Sequence, residues 1–212
     1  VTLNLVSDSN GSIQDFSLPD GTTVSNIERL HLHTGSGDDQ ITFANTTIEG
    51  SQYWNANGGT NTAIVDFSAF SSAVNANGGP NSGYKYSIYS GAYINNAYQH
   101  QVSLYDVENL TVYGGSGSDS LSRSFGNNEL VGNDGDDSLT VTGSGDDTLK
   151  GGAGNDNISV SGGGLDSIDG GTGDDYLYLN RSNLTQAVTL NLVSDSNGSI
   201  QDFSLPDGTT VS

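Results

Sequence analysis

The sequence predicts an all-β fold of stacked rungs, and three observations lead to it. A short glycine-rich unit recurs with a large apolar residue at one fixed place. Apolar and polar residues alternate at period two between the glycine turns. No stretch has the periodicity and length of an ordinary helix. The composition sets the question such a fold must answer. The chain has 212 residues, 30 of them Gly, with 25 Asp and Glu against 5 Lys and Arg, for a net charge of −20 although only 14% of residues are charged. Cys and Met are absent, which excludes disulfides and thiolate zinc sites. No run of about 18 apolar residues exists, so no membrane span is expected. Five scattered cations cannot make the basic face a nucleic-acid binder needs. Three prolines and no strict glycine period exclude collagen. Ten Tyr, six Phe and one Trp are too many for a solvated linker.

The repetition runs on three levels. Residues 1–25 (VTLNLVSDSNGSIQDFSLPDGTTVS) recur letter for letter at 188–212, an offset of 187. The chain therefore reads as one 187-residue unit followed by the start of the next, as in a tandem array; a deliberately duplicated end is the alternative. Within the unit, NIERLHLHTGSGDDQI around Glu28 aligns with DVENLTVYGGSGSDSL around Glu108. The shortest level starts at Gly114 with GGSGSDSLS, RSFGNNELV and GNDGDDSLT, continues after Val141 with TGSGDDTLK and GGAGNDNIS, and closes after Val160 with SGGGLDSID and GGTGDDYLY. These seven nonapeptides fill 114–178 with two extra letters.

Each position in the nonapeptide has a physical use. The glycines reach backbone angles closed to other residues, so the chain turns tightly. The eighth residue (Leu121, Leu130, Leu139, Leu149, Ile158, Ile168, Leu177) points inward from a short strand. The sixth offers a hard oxygen. Two nonapeptides make one rung of turn, strand, turn and strand, so every second sixth residue stacks on its predecessor. One column then contains Asp119, Asp137, Asp156 and Asp175, and the other Asn128, Asp147 and Asp166. Carboxylates stacked ~5 Å apart repel unless a cation lies between them, and no Lys or Arg column is present. Ca²⁺, which takes about six to eight oxygens in flexible geometry, suits the gap. Adjacent members bracket up to five sites, the Asn128–Asp147 site being weakest for want of a charge. Backbone carbonyls of the turn glycines (Gly115, Gly117, Gly135, Gly145, Gly152, Gly154, Gly164, Gly171 and Gly173) are expected to complete the coordination, while Asp136, Asp146 and Asp174 face solvent.

The run Gly114–Tyr178, with TGSGDDQIT at 34–42, resembles the RTX repeats of type I-secreted bacterial proteins, which include toxins, proteases and large repeat adhesins. The resemblance implies a parallel β-roll that folds on binding Ca²⁺. It places one further calcium site near Asp39, which has no acidic partner one rung later. The turn at Gly58 departs from the pattern, and no side-chain ligand is expected at Ala63.

Residues 1–113 read as the β-rich part of the unit, with one such turn at 34–42 and a Tyr-rich insertion at about 80–105. V-T-L-N-L alternates as a strand; I-Q-D-F-S-L follows a turn. The insertion, with its Y-K-Y-S-I-Y pattern, predicts a hairpin projecting from the roll around a Ser90-Gly91 turn. Its residues Tyr84, Tyr86, Tyr89, Tyr93 and Tyr98 either cover the roll or form a partner surface. Residues 179–187 read as a connecting strand and 188–212 as the start of the next unit.

No HExxH or G-x-S-x-G motif is present, and His31 and His33 read as outward strand positions, so no catalytic residue is expected. The expectation is a calcium-stiffened structural repeat of a giant extracellular or cell-surface protein, exported unfolded, whose partners are neighbouring identical repeats. Cell-surface glycans or lateral copies are further candidates. A glycan- or protein-binding adhesive module, or an accessory domain of a secreted enzyme, is the alternative.

Overall fold

A computed structural model describes residues 1–7, 12–44, 50–77, 86–94, 97–185, 200 and 202–212, without the side chains of 91–99. The strands in chain order are β1 (Thr2–Val6), β2 (Phe16–Ser17), β3 (Thr23–Val24), β4 (His31–His33), β5 (Gln40–Ala44), β6 (Gly50–Asn55), β7 (Thr62–Asp66), β8 (Val74–Asn77), β9 (Tyr86–Ile94), β10 (Ala97–Tyr105) and β11 (Asn109–Tyr113). They continue as β12 (Ser120–Arg123), β13 (Asn128–Asp134), β14 (Ser138–Gly143), β15 (Thr148–Ala153), β16 (Asn157–Gly162), β17 (Ser167–Thr172), β18 (Tyr176–Asn180), β19 (Phe203–Ser204) and β20 (Thr210–Val211). The described residues contain no helix, as the sequence predicts.

Successive strands of the repeat run alternate between two nine-stranded sheets. One has the order β1-β5-β7-β11-β13-β15-β17-β20-β19 and the other β18-β16-β14-β12-β8-β9-β10-β6-β4; β2 and β3 form a small separate pair. The pairings within the repeat run are parallel, because the chain completes a full rung before returning to the same sheet. This is a parallel β-roll. Alternate residues point inward, so the eighth positions stack in register: Leu121, Leu139, Ile158 and Leu177 in one sheet, and Leu130, Leu149 and Ile168 in the other. Leu139 is fully buried in this stack. Truncating it removes contacts to the rungs on both sides, and Leu139→Ala should cost about 2–5 kcal/mol in a denaturant titration of the folded chain.

The Tyr-rich insertion departs from expectation. It does not project. β9 and β10 form an antiparallel hairpin that lies within the sheet, between β8 and β6. Ser90 and Gly91 fall inside β9, not at a turn, and the connection follows Ile94. Ser90 is buried and its hydroxyl donates to the Ser72 carbonyl at 3.2 Å. A hairpin whose inward residues (Tyr86, Ile88, Val102, Leu104) are all apolar enough to bury gains more by joining the sheet than by standing in solvent. The connecting strand expected over 179–187 ends early: β18 stops at Asn180, and the chain turns, with Leu184 N–H bonded to the Arg181 carbonyl at 3.0 Å.

Candidate metal centre

The turns place the sixth-position side chains in two columns, one at the entrance to each sheet. In the first, the Asp119 N–H donates to Asp137 Oδ1 at 2.7 Å, the Asp137 N–H to Asp156 Oδ1 at 2.8 Å, and the Asp156 N–H to Asp175 Oδ1 at 2.9 Å. In the second, the Asn128 N–H donates to Asp147 Oδ1 and the Asp147 N–H to Asp166 Oδ1, both at 2.9 Å. The membership is that read from the nonapeptide spacing. One oxygen of each upper carboxylate is thus fixed by the backbone below. The other oxygens of Asp137 and Asp156, their Oδ2 atoms, are buried without a hydrogen-bond partner.

Burial of these acids has an electrostatic cost, relieved by a counter-charge at Asp166, which pairs with Arg181. Desolvation raises the Asp137 carboxyl to about 7, with Asp119, Asp156 and Asp136 adding repulsion against the relief of the Asp119 N–H. Asp119 is raised to about 6 by burial, opposed by N–H groups of Val74 and Gly115. Asp147, Asp156 and Asp166 are also raised, burial again being the first cause. A buried carboxylate oxygen without a hydrogen-bond partner is costly, and a cation beside it would offset that cost.

The glycines supply the room and the remaining oxygens. The first-position glycines face the Oδ2 atoms: a Cβ on Gly132 would stand against Asp137 Oδ2, 2.8 Å from Asp137 Cγ and 2.5 Å from the Gly151 carbonyl oxygen. Gly114 and Gly151 bear the same relation to Asp119 and Asp156. Gly132→Ala should therefore displace the Asp137 carboxylate, costing about 1–3 kcal/mol from overpacking and lowering calcium affinity, measured by isothermal titration. Of the glycines expected as carbonyl ligands, Gly117, Gly135, Gly154 and Gly173 stack, each later one lying against the carbonyl oxygen of its predecessor. Gly145 and Gly164 stack likewise on the opposite turn, and Gly171 lies on the Gly152 carbonyl. The Gly115 carbonyl already accepts the Asp134 N–H at 3.3 Å. Among the described residues no group of three or more His, Cys, Asp or Glu converges. Each ion would hence draw two side chains from its column and the rest of its oxygens from the backbone, a donor set that fits Ca²⁺.

The fifth positions are exposed, as expected, yet they have a structural task. Asp136 Oδ1 accepts the Asn155 N–H at 2.8 Å, Asn155 Oδ1 the Asp174 N–H at 2.9 Å, and Asp146 Oδ1 the Leu165 N–H at 2.9 Å. These bonds run opposite in sense to those of the sixth positions, so each pair of rungs is laced from both sides.

Several residues lie differently from the sequence reading. Asn128 Nδ2 donates to the Phe125 and Gly126 carbonyls at 3.1 and 2.8 Å and to Asp147 Oδ1 at 2.9 Å, while its Oδ1 is buried without a partner, like Asp137 Oδ2 and Asp156 Oδ2. The turn at Gly58 is framed two residues differently: Ala63 pairs with Ile41 as an inward core residue, and Asn61 holds the sixth position, its Oδ1 accepting the Asp39 N–H at 3.0 Å. The Asn61 N–H in turn donates to Glu108 Oε2 at 2.7 Å. Asp39 therefore has the neutral Asn61 as its partner, and its Oδ2 is buried and unpaired.

Of the tyrosines read as either covering the roll or forming a partner surface, the structure describes the side chains of Tyr86 and Tyr89. Tyr86 is 2% exposed and its hydroxyl donates to the Ala76 carbonyl at 3.0 Å and to that of Ser122; it is a core residue. Tyr89 is half-buried. Tyr84 and the side chains of Tyr93 and Tyr98 lie outside the described residues. Outward aromatic contacts also occur elsewhere, with the His31 ring tilted against Tyr53 at 3.9 Å and Tyr53 tilted against Tyr105 at 4.9 Å.

Two arginines were not singled out by the nonapeptide pattern. Arg123, 2% exposed, replaces a first-position glycine; its Nη2 donates to the Val107 carbonyl, and its guanidinium lies 4.7 and 4.4 Å over the Tyr86 and Phe125 rings. Arg181 pairs with Asp166 and, at 3.1 Å, with Asp207. Neither Arg123, inside the turn motif, nor Arg181, outside it, carries a local signal of where its long side chain ends.

Against known proteins, the family model described as RTX calcium-binding nonapeptide repeat (4 copies) matches residues 123–140, 141–163 and 157–183. No curated protein matches the chain. The matched segments cover the strands that carry the best-formed part of both carboxylate columns. With its stacked turns, orphaned carboxylate oxygens and glycine carbonyls, the roll over residues 123–183 belongs to the RTX calcium-binding nonapeptide repeat family.

Proposed function

We propose that the chain is a non-catalytic structural repeat of a larger extracellular or cell-surface protein, a stalk, fibre, surface layer or adhesin, that is exported open and stiffens on binding Ca²⁺. The observation that carries this reading is the pair of buried, partnerless oxygens on Asp137 and Asp156 within an aligned carboxylate column. Three ions fit the gaps of the Asp119–Asp175 column and a fourth the Asp147–Asp166 gap. The Asn128–Asp147 gap, where Asn128 brings no charge, is the fifth and weakest. Its partners in this reading are identical units in the same chain; neither nucleic acid nor a membrane is one. Coupled binding and folding is expected, since the metal-free columns repel and the ion binds only the closed form. Far-ultraviolet circular dichroism should show the β signal lost in excess chelator at neutral pH and regained with calcium; equal β content in both states would end this reading.

The adhesive alternative is supported by the outward His31, Tyr53 and Tyr105 contacts rather than by the Tyr-rich hairpin. Ring faces on a flat sheet suit sugar stacking. Binding on a glycan array that survives Tyr53→Ala would remove that support.

A further inference from the structure

The 25-residue segment that occurs twice has the same turn in two environments. In the first copy, Asp20 Oδ1 accepts the Thr22 N–H at 2.9 Å, both residues are exposed, and a Cβ on Gly21 would meet nothing within 4 Å. In the second copy, Asp207 Oδ1 accepts the Thr209 N–H at 3.0 Å, so the turn is unchanged. Here it is docked on the roll. Thr209 is fully buried and Leu205 is 7% exposed. A Cβ on Gly208 would lie 2.8 Å from Leu165 Cδ2. β20 pairs in parallel with β17, so that Val211 extends the Leu130–Leu149–Ile168 stack.

Thr209 stands where the next sixth-position acid of the second column would be. Its Oγ1 accepts the Asp166 N–H at 3.4 Å, and a hydroxyl brings no charge to hold an ion. The cation at this place is Arg181. Its Nη2 bonds Asp166 Oδ2 and, at 3.1 Å, Thr209 Oγ1, while its Nε donates to Asp207 Oδ2 at 3.1 Å. The Arg181 side chain is 5% exposed. Arg123 marks the other interruption of that column, beside Asn128, where it is buried against the Val107 carbonyl. Two of the chain's five cations thus stand where the column loses its acids.

We propose that Arg181 is a protein-borne cation that joins successive units: it clamps the Asp20–Thr22 turn of a following copy, here Asp207–Thr209, onto the Asp166 end of the roll, doing at the joint what calcium does between carboxylates inside the roll. The occupant of this docking face is the first 25 residues of a second copy of the unit. This rests on the tandem, calcium-stiffened reading and specifies how its units connect.

Hydrogen exchange of the 212-residue chain in saturating calcium tests it. Arg181→Ala should speed exchange across 203–211 by about tenfold or more, the scale of one lost charged hydrogen bond, while β14 and β16 stay protected and report an intact roll. Asp207→Arg should loosen the same segment, and Asp20→Arg, the identical change in the undocked copy, should leave exchange at 203–211 unaltered. The milder Asp207→Asn guards against a variant that does not fold and should give a smaller effect of the same kind. Unchanged exchange at 203–211 in Arg181→Ala, or an Asp20→Arg effect equal to that of Asp207→Arg, would overturn the proposal. Failure of the calcium reading shows separately, as no ion taken up by the wild-type chain in a direct titration.

Discussion

Asp156→Ala should raise the calcium concentration needed to fold the roll more than any other single change in the columns. Asp156 stands between two gaps. Its Oδ1 accepts the Asp137 N–H at 2.8 Å, its own N–H donates to Asp175, and its Oδ2 is buried without a partner. Alanine removes an oxygen from two ion sites at once and leaves the Asp137 N–H unsatisfied, a penalty of about 1–3 kcal/mol before any ion is counted. Two ions fewer should bind in native mass spectrometry, and the calcium midpoint followed by circular dichroism should rise several-fold. In chelator the loss should be smaller, because removing the Asp156 charge relieves its repulsion with Asp137 and Asp175 and offsets part of the lost hydrogen bond. Asp136→Ala is the control, since Asp136 is exposed and its one described bond accepts the Asn155 N–H at 2.8 Å. An unchanged midpoint in Asp156→Ala would remove the first column from the calcium mechanism.

Both columns were legible in the sequence because their information is local. Glycine, acid and apolar residue recur at a fixed spacing, and a period of two nonapeptides per rung says which Asp lies over which. The same logic failed where the period is broken. Between β8 and β6 the hairpin adds two strands to the sheet, and no count of residues tells whether an inserted hairpin enters a sheet or leaves it; that depends on which face can be buried. At Gly58 the glycines alone suggested a frame that put Ala63 at position six, whereas Gly59 stacking on Gly37 puts Asn61 there. Apolar continuity settles it, because Ala63 must follow Ile41 into the core. Arg123 and Arg181 stayed hidden for a third reason. Their guanidinium groups act several ångströms from their own backbone, at sites defined by other rungs, so only the folded arrangement shows what each one neutralises. The absence of a basic column, read correctly from the composition, concealed that single cations serve where the acids stop.

The pH dependence of stability should have opposite signs with and without calcium. Asp119 and Asp137 are raised to about 6 and about 7 in the metal-free roll, chiefly by burial, whereas an unfolded Asp titrates near ~3.9. Between those values the folded chain holds protons that the unfolded chain has released. Stability from these groups is therefore fully present below the unfolded value and is lost as pH rises through about 7. In chelator, acidification from pH 8 toward 5 should raise the denaturant midpoint and restore β structure. In saturating calcium the ions require ionised carboxylates, protons compete with them, and the same acidification should lower the midpoint. The two curves should converge at acid pH, where protons neutralise the columns that calcium neutralises at neutral pH. A chelated chain that loses stability steadily on acidification would show that the sixth-position acids are not the groups opposing closure. The charge of −20 would then need another account. If the curves converge, protons and calcium are interchangeable counter-charges for one structure, and the selective agent at neutral pH is the ion.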